Sequence, residues 1–189
     1  RFPGADGILA FPPYYSNADD EGLVEYYRTI GQATRLGTII YSRDWTNFSP
    51  AMVERLCTIP TLVAWKDGQG YIRRLQAIMN RVGDRLHWIG GAGDDMVAAY
   101  YSIGIRTFTS SIATVAPRLS LKLHELAETG SREALTELLD QCVIPLYALR
   151  ARRKGYEVSA MKAMMDMIGL NGGPVRPPLV NVSAAEEDE

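Results

Sequence analysis

The residue with the most chemical potential in the chain is Lys66, which closes the apolar run Leu62-Val-Ala-Trp-Lys66. A strand with that sequence would deliver its amine into a mouth walled by apolar side chains. Desolvation there disfavours the ammonium and leaves a nucleophilic amine, able to condense with a ketone and form an iminium. The plainer alternative is a lysine that ends a strand and reaches water, paired with Asp67. Tyr41 ends a second run, Gly37-Thr-Ile-Ile-Tyr41. A phenol in that position could relay a proton to or from a forming carbinolamine, or could be a buried tyrosine with a satisfied hydroxyl. Gly90-Gly-Ala-Gly93-Asp94 is a glycine-rich turn that would let a backbone approach an anion, but it lacks the Gly-x-Gly-x-x-Gly spacing. Asp94 could equally cap the next helix.

These residues need elements to carry them. Five short apolar runs, at 7–12, 36–41, 61–66, 86–90 and 104–110, read as buried strands because they do not alternate apolar with polar. Segments of helical period lie between them, and Ser49 with Pro50 predicts an N-cap and first helical position. Strand and helix alternating in this way predict a parallel sheet with helical crossovers, whose ligands bind beyond the carboxyl ends of the strands. After Ser110 three helices are expected, around Leu119 to Leu126, Leu135 to Leu149 and Val158 to Ile168. Pro145 should kink the second. Met161, Met164, Met165 and Met167 read as core packing. The run Arg150, Arg152, Arg153, Lys154 reads as a solvated helix end.

Composition narrows the function classes. The 189 residues carry 20 Lys plus Arg against 22 Asp plus Glu, a net charge of −2, with 47% hydrophobic residues. That balance fits one folded α/β domain and argues against a nucleic-acid partner. The apolar runs are too short for a membrane span, so no membrane partner is expected. Cys57 and Cys142, with His87 and His124, do not have the spacing of a zinc site. A cytoplasmic location is the default expectation.

The strand ends, taken together, resemble a known family. Phe11-Pro-Pro-Tyr-Tyr15 followed by Glu21-Gly-Leu, Tyr41-Ser-Arg-Asp44, Leu62-Val-Ala-Trp-Lys-Asp-Gly68 and Gly173-Pro-Val-Arg-Pro-Pro178 are similar to the dihydrodipicolinate synthase and N-acetylneuraminate lyase superfamily. Within it they look most like the 5-dehydro-4-deoxyglucarate dehydratase branch. The resemblance runs through essentially the whole chain in order, although Ser42 stands where the family commonly carries Asn. It implies a (β/α)8 TIM barrel with extra C-terminal helices, a homo-oligomer (tetramer or dimer), and a small-molecule α-keto sugar acid as substrate. No metal or organic cofactor is implied. Lys66 would be the Schiff-base former and Tyr41 the proton relay. Arg43, Gly91, Ser110 and Ser111 would line the substrate, one of the serines either binding a carboxylate or serving only as a small residue that admits substrate.

The implied reaction converts 5-dehydro-4-deoxy-D-glucarate to 2,5-dioxopentanoate, water and carbon dioxide. A pyruvate-dependent aldolase or synthase, or a catalytically silent sugar-acid-binding barrel, are the alternatives. The five strands resemble the fourth to eighth of the barrel, so residues 1–117 are expected to be its C-terminal part and 118–189 the added helices. On that reading the 189 residues are an incomplete portion of a protein of about 300 residues. The missing units would include a Gly-Thr-Gly-Glu-type carboxylate loop, and the portion alone should be inactive.

Overall fold

The structure is a computed structural model that describes residues 4–15, 18–43 and 45–188. Asp44, which figures in the sequence reading, lies outside the described residues. The chain forms two compact units, Arg1–Thr109 and Ser110–Glu189.

In the first unit the elements alternate as β1 (Gly7–Ala10), α1 (Asp20–Gln32), β2 (Gly37–Ser42), α2 (Pro50–Leu56), β3 (Leu62–Asp67), α3 (Ile72–Val82), β4 (His87–Gly90), α4 (Val97–Ser102) and β5 (Thr107–Phe108). All neighbouring strands pair parallel, in the order β1-β2-β3-β4-β5. Asp19 caps α1 by accepting from Glu21 N at 2.9 Å, and Ser49 caps α2 by accepting from Met52 N at 3.1 Å, with Pro50 as its first residue.

One face of the sheet is buried under helices. Thr38, Ile40 and Ser42 of β2 and Trp65 and Asp67 of β3 point that way, and Trp65 meets Phe48 edge-on at 4.8 Å. The other face is open. Leu9, opposite Ile39 in register, is 42% exposed, and Val63 is 49% exposed. A register shift between Thr38 and Ile39 inserts Val63 as an extra residue in β3. Beyond it Ala64 pairs with Ile39, and Lys66 with Tyr41, so the strand's last residues are re-phased relative to its first.

The run at 104–110 is shorter as a strand than expected. Its first residues are drawn into the end of α4, where Ile103, Gly104 and Ile105 donate to the carbonyls of Tyr100 and Tyr101. The Ser110 hydroxyl accepts from Ala113 N at 2.9 Å and so belongs to the next turn. Only two residues are left for the ladder.

The second unit is helical: α5 (Pro117–Thr129), α6 (Arg132–Leu138), a π-helical turn (Leu139–Val143), α7 (Ile144–Ala151), α8 (Tyr156–Met167) and α9 (Ala184–Glu187). Instead of one kinked helix from Leu135 to Leu149, the chain makes two joined by the π turn. Pro145 offers no N–H, and its ring conflicts with the carbonyl four residues back, which the wider turn relieves. The methionines divide as well. Met161 is buried, Met164 and Met165 are half-buried, and Met167 is 56% exposed, so the group is not a uniform core face. Arg150 also departs from a solvated helix end. Its guanidinium donates to the Ser111 hydroxyl at 3.0 Å and lies 4.4 Å from the Tyr147 ring centroid. Tyr156 donates to Glu186 at 2.8 Å, and Ser183 and Glu186 form a capping box at α9. No helix among the described residues is long and apolar enough to cross a membrane.

Candidate active site

Register places the two residues of greatest interest side by side. Tyr41 on β2 pairs with Lys66 on β3, which pairs in turn with Ile89 on β4. The Lys66 amine lies 4.2 Å from the Tyr41 ring centroid, over the face of the ring. Arg43, two residues beyond Tyr41, approaches the same ring with its guanidinium carbon 5.3 Å from the centroid. Phe11, past the end of β1, meets Tyr41 edge-on at 5.4 Å. The Tyr41 hydroxyl donates to the Gly91 carbonyl at 3.3 Å. Four of the six expected site residues, Lys66, Tyr41, Arg43 and Gly91, are therefore neighbours.

Lys66 is held below the usual lysine range, chiefly because burial penalises its ammonium and secondarily because the Arg43 cation repels it. Attraction to the Tyr41 ring acts in the opposite sense, stabilising the charged form.

The surroundings are built to a close fit. A Cβ on Gly91 would collide with the Lys66 side chain and come within 2.7 Å of the Asp67 carbonyl oxygen. One on Gly90 would enter the Tyr100 ring, and one on Gly68 would strike the Tyr41 ring and come within 2.7 Å of the Ser42 carbonyl oxygen. These glycines let Lys66, Tyr41 and Tyr100 pack against bare backbone. The turn after β4 is accordingly engaged with protein groups: Ala92 N donates to the Tyr100 hydroxyl at 3.1 Å.

Asp67 is not the partner of Lys66. Consecutive strand residues face opposite ways, and its buried carboxylate accepts from the Tyr100 hydroxyl at 2.7 Å and from Gly70 N at 2.9 Å. Burial and the Asp67 carboxylate both raise the Tyr100 phenol, so it stays protonated and donates. This Asp67–Tyr100 pair ties the end of β3 to the turn after β4, and the sequence reading missed it. Gln69 is a second omission. Its amide nitrogen donates to the carbonyls of Arg43 and Thr46, both at 3.1 Å, and its oxygen accepts from Ser42 at 3.2 Å. Trp45 donates to the Pro13 carbonyl at 2.8 Å and stacks on Tyr14 at 4.9 Å.

Ser110 and Ser111 open the second unit. Their hydroxyls accept from Ala113 N and Arg150 respectively. A cavity of about 370 Å³ lies in that unit, lined by Leu146, Leu149, Met164 and Val182 among others, and contains none of the strand-end groups. No cluster of three or more potential metal-binding side chains occurs among the described residues.

Residues 2–189 match the family model for the dihydrodipicolinate synthetase family. The chain belongs to that family. A probable 5-dehydro-4-deoxyglucarate dehydratase of Saccharopolyspora erythraea is 38% identical over 186 residues, covering 97% of this chain and 60% of that protein. One from Bradyrhizobium sp. strain ORS 278 is 35% identical over 189 residues, covering 98% of this chain and 60% of that one. The crystal structure of dihydrodipicolinate synthase from Oceanobacillus iheyensis superposes with a TM-score of 0.87 at 30% identity, over 97% of this chain and 61% of that one. The chain thus spans about 60% of the length of the curated relatives it matches. Its five-stranded parallel sheet with helices is that family's α/β fold, present as an incomplete barrel.

Proposed function

We propose that the complete protein is a decarboxylating dehydratase that converts 5-dehydro-4-deoxy-D-glucarate to 2,5-dioxopentanoate through a Schiff base on Lys66. The observation that carries this reading is the half-buried amine of Lys66 against Tyr41, held below the usual lysine range by burial and a neighbouring cation. The names of the relatives support the choice of substrate.

The chemistry follows from that amine. Neutral Lys66 adds to the ketone carbon, and the carbinolamine loses water to leave an iminium. In this reading Tyr41, the neighbour of Lys66, passes a proton to the departing hydroxyl and recovers one. The iminium acidifies the adjacent methylene, whose proton leaves to give an enamine. The enamine electrons expel the next hydroxyl as water, extending the conjugation by one double bond. The carboxylate one carbon further on then lies where its C–C bond electrons can flow into the iminium, and carbon dioxide departs. Protonation of the resulting dienamine and hydrolysis release the aldehyde-bearing keto acid and free Lys66. One water and one carbon dioxide are lost per substrate, with no net oxidation or reduction.

Incubating the full-length protein with 5-dehydro-4-deoxyglucarate should release one carbon dioxide per keto acid consumed, with 2,5-dioxopentanoate as product. Turnover of pyruvate with an aldehyde and none of the glucarate derivative would instead favour an aldolase or synthase. Binding of the sugar acid unaffected by Lys66→Ala, with no turnover, would favour a silent barrel.

A further inference from the structure

Arg43 stands out because its backbone is fixed far more tightly than a side chain at a loop start requires. Gln69 clamps its carbonyl and that of Thr46, Thr46 N donates to the Arg43 carbonyl at 3.1 Å, and Gln69 is itself held by Ser42 and approached by Arg74. Arg74 also donates to Asn47 at 2.6 Å, pinning the far side of the same loop. From this held backbone the Arg43 side chain reaches Tyr41, so that two cations, Arg43 and Lys66, approach one aromatic ring.

We propose that Arg43 is a positioning residue for the Schiff-base chemistry: braced beside Tyr41, it supplies the fixed positive charge that favours Lys66 as a free amine. This rests on the reading of Lys66 as the nucleophile. A like charge nearby destabilises an ammonium, and arginine carries its charge across the accessible pH range, so the effect does not switch off where the enzyme works.

The other groups around Lys66 among the described residues do not replace it. Tyr41 presents its ring, Ile89 across from Lys66 on β4 is apolar, and Gly91 contributes backbone. Asp67, the nearest acid in sequence, turns its carboxylate to Tyr100 on the other side of the strand. His87, also on β4, bonds to Thr107. The direction of the Lys66 shift agrees, with Arg43 as the charge that contributes to it. The two distances to a shared centroid put the charges no more than about 10 Å apart, close to the screening length at physiological salt and less screened than that at a half-buried site.

The test reads Lys66 directly in the full-length protein. Lysines are reductively methylated with ¹³C-formaldehyde, the Lys66 signal is assigned by its loss in Lys66→Arg, and its titration is followed by NMR. The midpoint should rise in Arg43→Met, and in Arg43→Gln, which serves if the first does not fold. Arg43→Lys should restore it to near the original value, which a merely structural role would not do. An unchanged midpoint in the charge-free variants, or the same rise in Arg43→Lys, would overturn the proposal. Borohydride trapping with the keto acid is read separately: failure there with the Arg43 effect intact would reject the Schiff-base reading and leave the electrostatic one standing.

Discussion

Replacing Tyr100 with Phe removes one oxygen and almost no volume, so it isolates the hydrogen bonds that join β3 to the turn after β4. Two interactions disappear: the 2.7 Å bond donated to Asp67 and the 3.1 Å bond accepted from Ala92 N. A hydrogen bond to a charged acceptor is worth about 1.5–3 kcal/mol net, and an unsatisfied amide costs about 1–3 kcal/mol, with the low end appropriate for a part-buried group. Asp67 keeps its bonds from Gln69 N and Gly70 N, so the penalty of about 3–5 kcal/mol for orphaning a buried charge does not apply. The expected loss is about 2–4 kcal/mol, read as a lower urea midpoint at unchanged slope in the full-length protein. In a double-mutant cycle with Asp67→Asn, the two changes should couple by at least about 1 kcal/mol. A loss under about 0.5 kcal/mol, or additive effects, would refute the view that this pair locks the lysine-bearing strand end.

Three further outcomes are expected. Gly91→Ala should slow borohydride-trappable adduct formation at Lys66 by about five- to 150-fold, because the added methyl meets the Lys66 side chain on one side and the β3 backbone on the other, and overpacking costs about 1–3 kcal/mol; stopped-time mass spectrometry would measure it. Adduct formation should rise with pH and level off below the usual lysine range, since the neutral amine reacts and its folded-state value is lowered; a limb still climbing at the ordinary lysine value would contradict this. Glu186 is held down at about 2, chiefly by the Ser183 backbone N–H and also by the Ser183 and Tyr156 hydroxyls. A depressed carboxylate stabilises the fold above its unfolded value and loses that contribution as pH falls, so the Tm difference between the original protein and Glu186→Gln should be full above about 4.5 and gone near 2.

Much of this was visible in the amino-acid order because the strong signals were local. Apolar runs ending in Tyr41 and Lys66 needed only a parallel sheet to become neighbours, and Ser49-Pro50 capped α2 as such pairs do. The Asp67–Tyr100 pair was hidden for two reasons. The extra residue at Val63 re-phases β3, so counting along the run does not show which way Asp67 turns. Tyr100 also sits at a position that helical periodicity reads as merely apolar. The shortening of β5 depends on carbonyls at the end of α4 competing for its amides, and the π turn depends on how a proline clash is relieved; neither is a property of composition. Gly90 and Gly91 read as a turn that could admit an anion, but together with Gly68 they flank the lysine strand, where bare backbone instead meets the large side chains Lys66, Tyr41 and Tyr100.

The central claim is that Lys66 forms the covalent intermediate. The direct measurement is peptide mapping of the full-length protein after incubation with 5-dehydro-4-deoxyglucarate and borohydride. One reduced adduct per chain is expected, located on Lys66, absent from Lys66→Arg and not formed by borohydride without substrate. Rapid substrate turnover with no adduct on Lys66, or with full activity in Lys66→Arg, would contradict it.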